Sequence, residues 1–286
     1  MAIDPAYLLG LPARAVHHIF TQRDTILYAL GVGAGQSNDD GELRFVYEDS
    51  LEALPTMAVV LAYPGFWQKE PQYGIDWKRV LHVEQSVIFH APLPVAGEVR
   101  GELTIDGIVD KGAGKGALLY STRHVYDAAA GTKLASVRQV SFLRGDGGCG
   151  GSSYTPLPPY PIPDRTADDH LTLLTRPEQA LIYRLSGDYN PLHADPRVAE
   201  EAGLPGPILH GLCTYGMAGR AILKMLCGNT PVRLKRLDCR FTAPIYPGED
   251  IEISIWNTDA GRAAFQARVT GRDVLILNNG YVEFEG

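Results

Sequence analysis

Asp188, Asn190 and His193 fall within six residues of one another in the stretch 183–199, YRLSGDYNPLHADPRVA. A carboxylate and an imidazole five residues apart can hold one water between them and divide the proton work of adding it to a substrate. The backbone around them suits a fixed loop: Gly187 permits a sharp turn, Pro191 lacks an amide donor, and an Asn-Pro step favours a turn over a continuing helix. The same residue types also make plain Asx turns, with the histidine as a hydrogen-bonded structural group. Each residue taken singly fits that plainer reading. The whole string favours a water-handling loop with converging side chains.

The elements that must position such a loop lie on both sides of it. At 286 residues the chain can form one large domain or two of about 140 residues. Residues 5–30 carry helical apolar spacing, with a helix start at Thr21-Gln22-Arg23-Asp24. The glycines of 31–35 lack the third glycine of a dinucleotide loop, since Gln36 stands there. The short apolar run 58–62, ended by Pro64-Gly65, suits a truncated central helix. Residues 80–143 then have strand texture, at 80–89, 99–110, 118–126 and 133–143. Lys111 and Lys115 lie in a glycine-rich turn that fails the Walker pattern, because Gly116 follows the second lysine.

Residues 145–163, GDGGCGGSSYTPLPPYPIP, have the composition of a linker. Beyond the proton-handling loop, a Gly-Pro cluster precedes a helix with Leu212, Tyr215, Ala218, Gly219, Ile222 and Leu226 at three- and four-residue spacing. Gly216 and Gly219 weaken that helix, so something must pack closely against it, the sheet of the same domain being the expected neighbour. Strands follow at 233–241, 250–258, 263–270 and 274–283. Phe89-His90-Ala91-Pro92-Leu93 with Gly97-Glu98 recurs as Phe241-Thr242-Ala243-Pro244-Ile245 with Gly248-Glu249. A weak repeat of domain length points to duplication of one α+β unit.

A net charge of −7 gives no basic field for nucleic acid or anionic membrane. Four cysteines show no CxxC or zinc spacing, and a metal is not expected. The chain shows no signal peptide, membrane span or Ser-Lys-Leu terminus, so the cytoplasm is the expected location.

The string Tyr183, Ser186, Gly187, Asp188, Asn190, Pro191, Leu192, His193 and Ala199 resembles the signature of the hydratase 2 family, the MaoC-like (R)-specific 2-enoyl-CoA hydratases. Similarity extends to segments around Leu54, Leu81, Lys111, Gly147, Gly211 and Phe241. The resemblance implies an α+β fold of two fused hot-dog domains, each an antiparallel sheet wrapped around a central helix. Residues 1–146 would bind acyl chain and CoA, 147–163 would link, and 164–286 would carry the chemistry. It implies hydration of trans-2-enoyl-CoA to (3R)-3-hydroxyacyl-CoA, with no cofactor beyond the coenzyme A of the substrate. Asp188 and His193 would grip the water, Asn190 would orient them, and the Gly211 N–H would meet the thioester oxygen. His82, Val83, Lys111, Tyr189, Leu192 and Phe241 become substrate or CoA contacts, although Val83 stands where the family places glycine. A catalytically silent acyl-CoA-binding protein and a thioesterase are the rival readings. An acyl-CoA thioester is the expected partner, and a homodimer of the whole chain is compatible with the sequence.

Overall fold

The computed structural model describes residues 3–36 and 40–286. Its strands are β1 (Arg14–Phe20), β2 (Val80–Phe89), β3 (Gly97–Asp110), β4 (Ala117–Asp127), β5 (Lys133–Leu143), β6 (Asp169–Leu174), β7 (Leu234–Phe241), β8 (Asp250–Asp259), β9 (Arg262–Val269) and β10 (Val274–Phe284). The helices are α1 (Pro5–Leu9), α2 (Gln22–Gly31), α3 (Asp40–Leu43), α4 (Gln179–Tyr183), α5 (Pro196–Glu201) and α6 (Gly211–Cys227). No helix of the described residues is long and apolar enough to cross a membrane.

All ten strands form one sheet in the order β1-β3-β4-β5-β2-β7-β10-β9-β8-β6. The first five positions and the last five have the same topology read outward from the middle. β2 and β7 join the halves antiparallel, from Glu84 opposite Arg240 to Ile88 opposite Arg236. Phe89 and Phe241, the paired residues of the sequence repeat, end these two central strands.

α6 is the main helix on the inner face of the sheet, with a continuous set of buried residues from Cys213 to Leu223. Its closest neighbours differ from the expected same-domain sheet. A Cβ on Gly216 would lie 2.5 Å from Val32 Cγ1 and 2.8 Å from the Tyr28 hydroxyl, both beside α2 of the first half. A Cβ on Gly219 would overlap Thr56 Cγ2, with Leu237 of β7 3.3 Å away. Glycine is therefore needed because the first half presses on this helix. A buried ion pair, Arg220 to Glu42 at 3.3 Å, adds a second tie between α6 and the first half. The first half has only a five-residue 3-10 turn, Pro55–Val59, where a central helix was expected, and all five residues are buried.

Two edge strands depart from the sequence reading. Residues 5–30 are not continuously helical: β1 interrupts them, alternating Val16, His18 and Phe20 toward the protein with Ala15, His17 and Ile19 outward. The Thr21 helix start is present, and Asp24 Oδ2 accepts the Thr21 N–H at 2.8 Å. β6 follows the linker and pairs with β8. The linker itself lies against the sheet. Tyr154 sits over Gly107 and stacks on Tyr120 at 4.6 Å, while Tyr160 stacks on Tyr281 at 4.4 Å and donates its hydroxyl to Thr258 Oγ1 at 3.0 Å.

Candidate active site

The loop between α4 and α5 is built from short, capped pieces. α4 continues into a 3-10 turn that ends at Gly187, whose φ of 117° is open to glycine and costly for other residues. The chain then leaves as Asp188, Tyr189 and Asn190 before a second 3-10 turn, Pro191–His193. Asp188 Oδ1 accepts the Asn190 N–H at 3.1 Å, and Asn190 Oδ1 accepts the Leu192 N–H at 3.1 Å. These are the Asx contacts of the plainer reading, and they fix the loop that bears Asp188 and His193. The Asn190 carbonyl oxygen is thereby committed to the turn.

His193 Nδ1 lies 2.8 Å from the Ile208 carbonyl oxygen. A carbonyl only accepts, so Nδ1 carries the proton and Nε2 presents a lone pair. His210 adds a residue to which sequence reasoning gave no role. Its ring stacks on His193 with centroids 3.7 Å apart and planes 26° apart, and its Nε2–H donates to the Asp188 carbonyl oxygen at 3.1 Å. Tyr183 also packs against His210, with ring centroids 5.0 Å apart. One ring therefore ties the backbone of Asp188 to the imidazole of His193, across 17 residues of chain that no local spacing connects.

Burial lowers the pKa of both histidines below the ordinary value of 6.5, and His193 lowers that of His210 further. Both rings are thus neutral at pH 7. Asp188 is partly open to solvent, while His193 and His210 are buried, and their ligating atoms lie within 4.8 Å of one another. Two imidazoles and a carboxylate form a plausible donor set for a divalent ion. In this arrangement, however, each histidine commits one nitrogen to a carbonyl, and the two rings lie in nearly parallel planes 26° apart, so their in-plane lone pairs do not share a plane in which to meet one ion. The geometry suits a water held at the edge of the pair.

Gly211 begins α6 directly after His210, and its N–H has no acceptor among the described residues. A free N–H at a helix start, reinforced by the helix dipole, is a donor for developing negative charge. Phe241 closes one side of it: its ring would lie 3.4 Å from a Cβ on Gly211, and its centroid is 4.9 Å from that of His82. His82 comes from β2, so the first half contributes directly here. Its Nε2–H donates to the Glu84 carbonyl at 3.0 Å, and burial pushes its pKa down to about 4. Val83 is skipped by the β2–β5 register, which runs from His82 opposite Ser141 to Glu84 opposite Val140. A residue bulged out of the ladder has free backbone groups. Its φ is not positive, so valine fits where the family places glycine.

Leu192 is half-buried in the Pro191–His193 turn, and Tyr189 is exposed with the Arg184 guanidinium 4.9 Å over its ring. Lys111 is exposed at the β3–β4 turn, away from the histidine cluster.

Residues 160–279 match the family model described as MaoC like domain, and residues 18–145 match the MFE-2 hydratase 2 N-terminal domain. The chain is 42% identical to 3-hydroxyacyl-thioester dehydratase Y of Mycobacterium tuberculosis, covering 99% of each chain. The chain belongs to the MaoC-like dehydratase and hydratase 2 family. As a member it is a hydro-lyase with a double hot-dog fold. It is also 37% identical to the peroxisomal enoyl-CoA hydratase 2 of Arabidopsis thaliana, covering 98% of this chain and 94% of that one. The crystal structure of a MaoC-like dehydratase from Phytophthora capsici superposes with a TM-score of 0.86 at 34% identity, covering 97% of each chain.

Proposed function

We propose that this protein reversibly hydrates trans-2-enoyl thioesters of coenzyme A to (3R)-3-hydroxyacyl thioesters, using a water held by Asp188 and His193. The observation that carries the reading is the neutral His193, its Nε2 lone pair free, clustered with the Asp188 carboxylate. The water oxygen bonds to the β-carbon as one of its protons passes to this pair. The alkene π electrons move toward the thioester carbonyl, and the Gly211 N–H meets the developing enolate oxygen. The pair then returns one proton to the α-carbon and ends the cycle unchanged. Asn190 positions the loop through its cap on Leu192. The relatives described above support the reaction class, and the same site run backwards is a dehydratase.

In this reading residues 1–146 supply acyl and CoA contacts, 147–163 connect, and 164–286 carry the chemistry. His82, Val83, Tyr189, Leu192 and Phe241 line the thioester end, and Lys111 meets the distant nucleotide.

The test is the fall in enoyl-thioester absorbance with the pure protein beside Asp188→Asn, the product being read with an (R)-specific dehydrogenase. Rapid formation of the (3R) product, lost in a folded Asp188→Asn protein, is the expected result. Activity retained by Asp188→Asn, or a (3S) product, would overturn the assignment. Release of free CoA without hydration would make the protein a thioesterase.

A further inference from the structure

The inner face of the first-half sheet is apolar at both ends and polar in between. Val87, Val125 and Val137 belong to the main core, whereas Ile108, Leu119 and Leu143 form a second cluster. Between them, strand register sets Gln85 opposite Gln139 and Gln139 opposite Ser121. Arg123 follows on the same face of β4, and Ser141 on the same face of β5. Ser141 stands opposite His82, so this polar strip begins at the proposed thioester end. Residues 63–68 cross over it: the Tyr63 ring lies 5.4 Å from the Arg123 guanidinium, and Gln68 Nε2 donates to Ser141 Oγ at 3.3 Å. Gln68 Oε1 is buried with no partner. Gln139 is only half-buried, so solvent reaches the inner face of an interior strand here.

Arg123 is the charged member of the strip and is 4% exposed. Its Nη2 donates to the Ala58 and Val59 carbonyls at 3.1 and 2.8 Å, at the end of the Pro55–Val59 turn. Its Nε is buried without a partner, and no carboxylate pairs with it among the described residues. Burial lowers its pKa to about 10, which leaves it charged at pH 7. A buried charge without a counter-ion is costly, and holding two carbonyls needs only a neutral donor. On β3, Leu103 lies opposite Arg123 and Ile105 opposite Ser121, and both line a cavity of about 310 Å³. Arg14 also lines that cavity, but it is paired with Glu70 at 2.6 Å. Arg123 is the cation left over.

We propose that Arg123 is a specificity residue that receives a carboxylate at the far end of the acyl chain, so that the favoured substrates are mono-thioesters of unsaturated dicarboxylic acids. The inference rests on the thioester reading for the reacting end and adds the chemistry of the other end. On β5, Ser141 opposite His82 and Val137 opposite Arg123 are four residues apart, roughly 13 Å along the strand. Arg123 also stands two strands from β2, roughly 10 Å sideways, so an extended chain of medium length spans the diagonal. A methyl end would leave the guanidinium without a counter-ion, whereas a carboxylate accepts the Nε–H in a charge-assisted hydrogen bond.

Steady-state hydration should compare the mono-CoA thioester of trans-2-dodecenedioic acid with trans-2-dodecenoyl-CoA, which ends in a methyl group. In Arg123→Met the ratio of kcat/KM for the first to that for the second should fall about tenfold or more, the effect of losing one charge-assisted hydrogen bond. Arg123→Lys, which keeps a charged donor, should retain most of the ratio. An unchanged ratio in a folded Arg123→Met protein overturns the proposal. The unaltered protein gives a second check that needs no variant. Its carboxyl-to-methyl ratio should rise from hexenoyl to dodecenoyl chains, because a short chain strands its carboxylate before Arg123; a ratio independent of length, or a terminal hydroxyl that serves as well as the carboxylate, overturns it too. Calorimetric titration with the saturated dodecanedioyl-CoA and dodecanoyl-CoA reads binding without turnover. A preference for the diacid, lost in Arg123→Met of a protein that hydrates no enoyl thioester, would uphold the acyl-end site and reject the hydratase reading alone. Hydration with no such preference would do the reverse.

Discussion

Replacing Gly211 with proline removes one N–H and little else. As the first residue of α6, Gly211 has no acceptor within the helix for that hydrogen, and proline is favoured at this position. His210 before it is already extended, at φ −61° and ψ 136°, which is the region a residue preceding proline prefers. The added ring would rest against Phe241, 3.4 Å from where a Cβ would lie. If the N–H binds the enolate oxygen, its loss should cost about 3 to 4 kcal/mol in the transition state, or about 10²- to 10³-fold in kcat. The assay is steady-state hydration of an enoyl thioester beside Gly211→Ala, which keeps the N–H and makes an ordinary contact with Phe241. The proline variant should lose kcat with little change in KM, while the alanine variant stays within a few-fold of the parent. A proline variant with nearly full kcat would show that another group meets the oxygen. Equal losses in both variants would show that space at this position matters, not the donor.

His210→Phe keeps a stacked ring but loses the bond to the Asp188 carbonyl, and His210 Nδ1 has no partner among the described residues to lose as well. We expect kcat to fall about 5- to 30-fold, the effect of about 1 to 2 kcal/mol; a loss above about 10⁴-fold would mean that His210 itself carries a proton. Gly219→Ala gains about 1 kcal/mol in helix propensity but overpacks Thr56, so urea denaturation should show a net destabilisation of about 1 to 2 kcal/mol. Thr56→Ser, which removes the opposing methyl group, should restore most of it, and failure to do so would place the strain elsewhere. With His193 as the proposed base, burial holds its pKa below 6.5, so the acid limb of kcat/KM should be centred below pH 6.5; an acid limb centred above 6.5 would contradict a desolvated base. His82 also stays neutral in the fold down to about 4, whereas the unfolded chain takes up this proton near 6.5. Stability should therefore fall as pH drops through that interval, and His82→Phe should flatten the dependence in urea melts.

The long strands were legible because β-branched and aromatic residues cluster between turn signals, and α6 was legible from its apolar spacing. The proximity of Asp188 to His193 was legible because six residues contain both. The short edge strands β1 and β6 were missed. β1 joins a two-histidine alternation to flanking helical apolar residues, and β6 is six residues of mixed polarity whose identity comes from pairing with β8. His210 had no visible role because its significance lies in a ring stacked on a residue 17 positions away. The neighbours of Gly216 and Gly219 were equally hidden: the sequence says that something must approach, but only the packing of the two halves says that it is Val32, Tyr28 and Thr56.

The tyrosine-pinned segment behind the sheet has a consequence for how the molecule pairs its halves. By joining them in one chain, it turns the meeting of β2 with β7 into an intramolecular event at an effective concentration on the order of millimolar. A second copy of either half, at cellular protein concentrations, competes poorly against that. Each half is thus released from having to recognise itself. One can keep the long helix and the proton-handling loop while the other gives up its helix, because neither change has to suit a symmetric partner. The covalent connection lets an assembly of like parts become a division of labour.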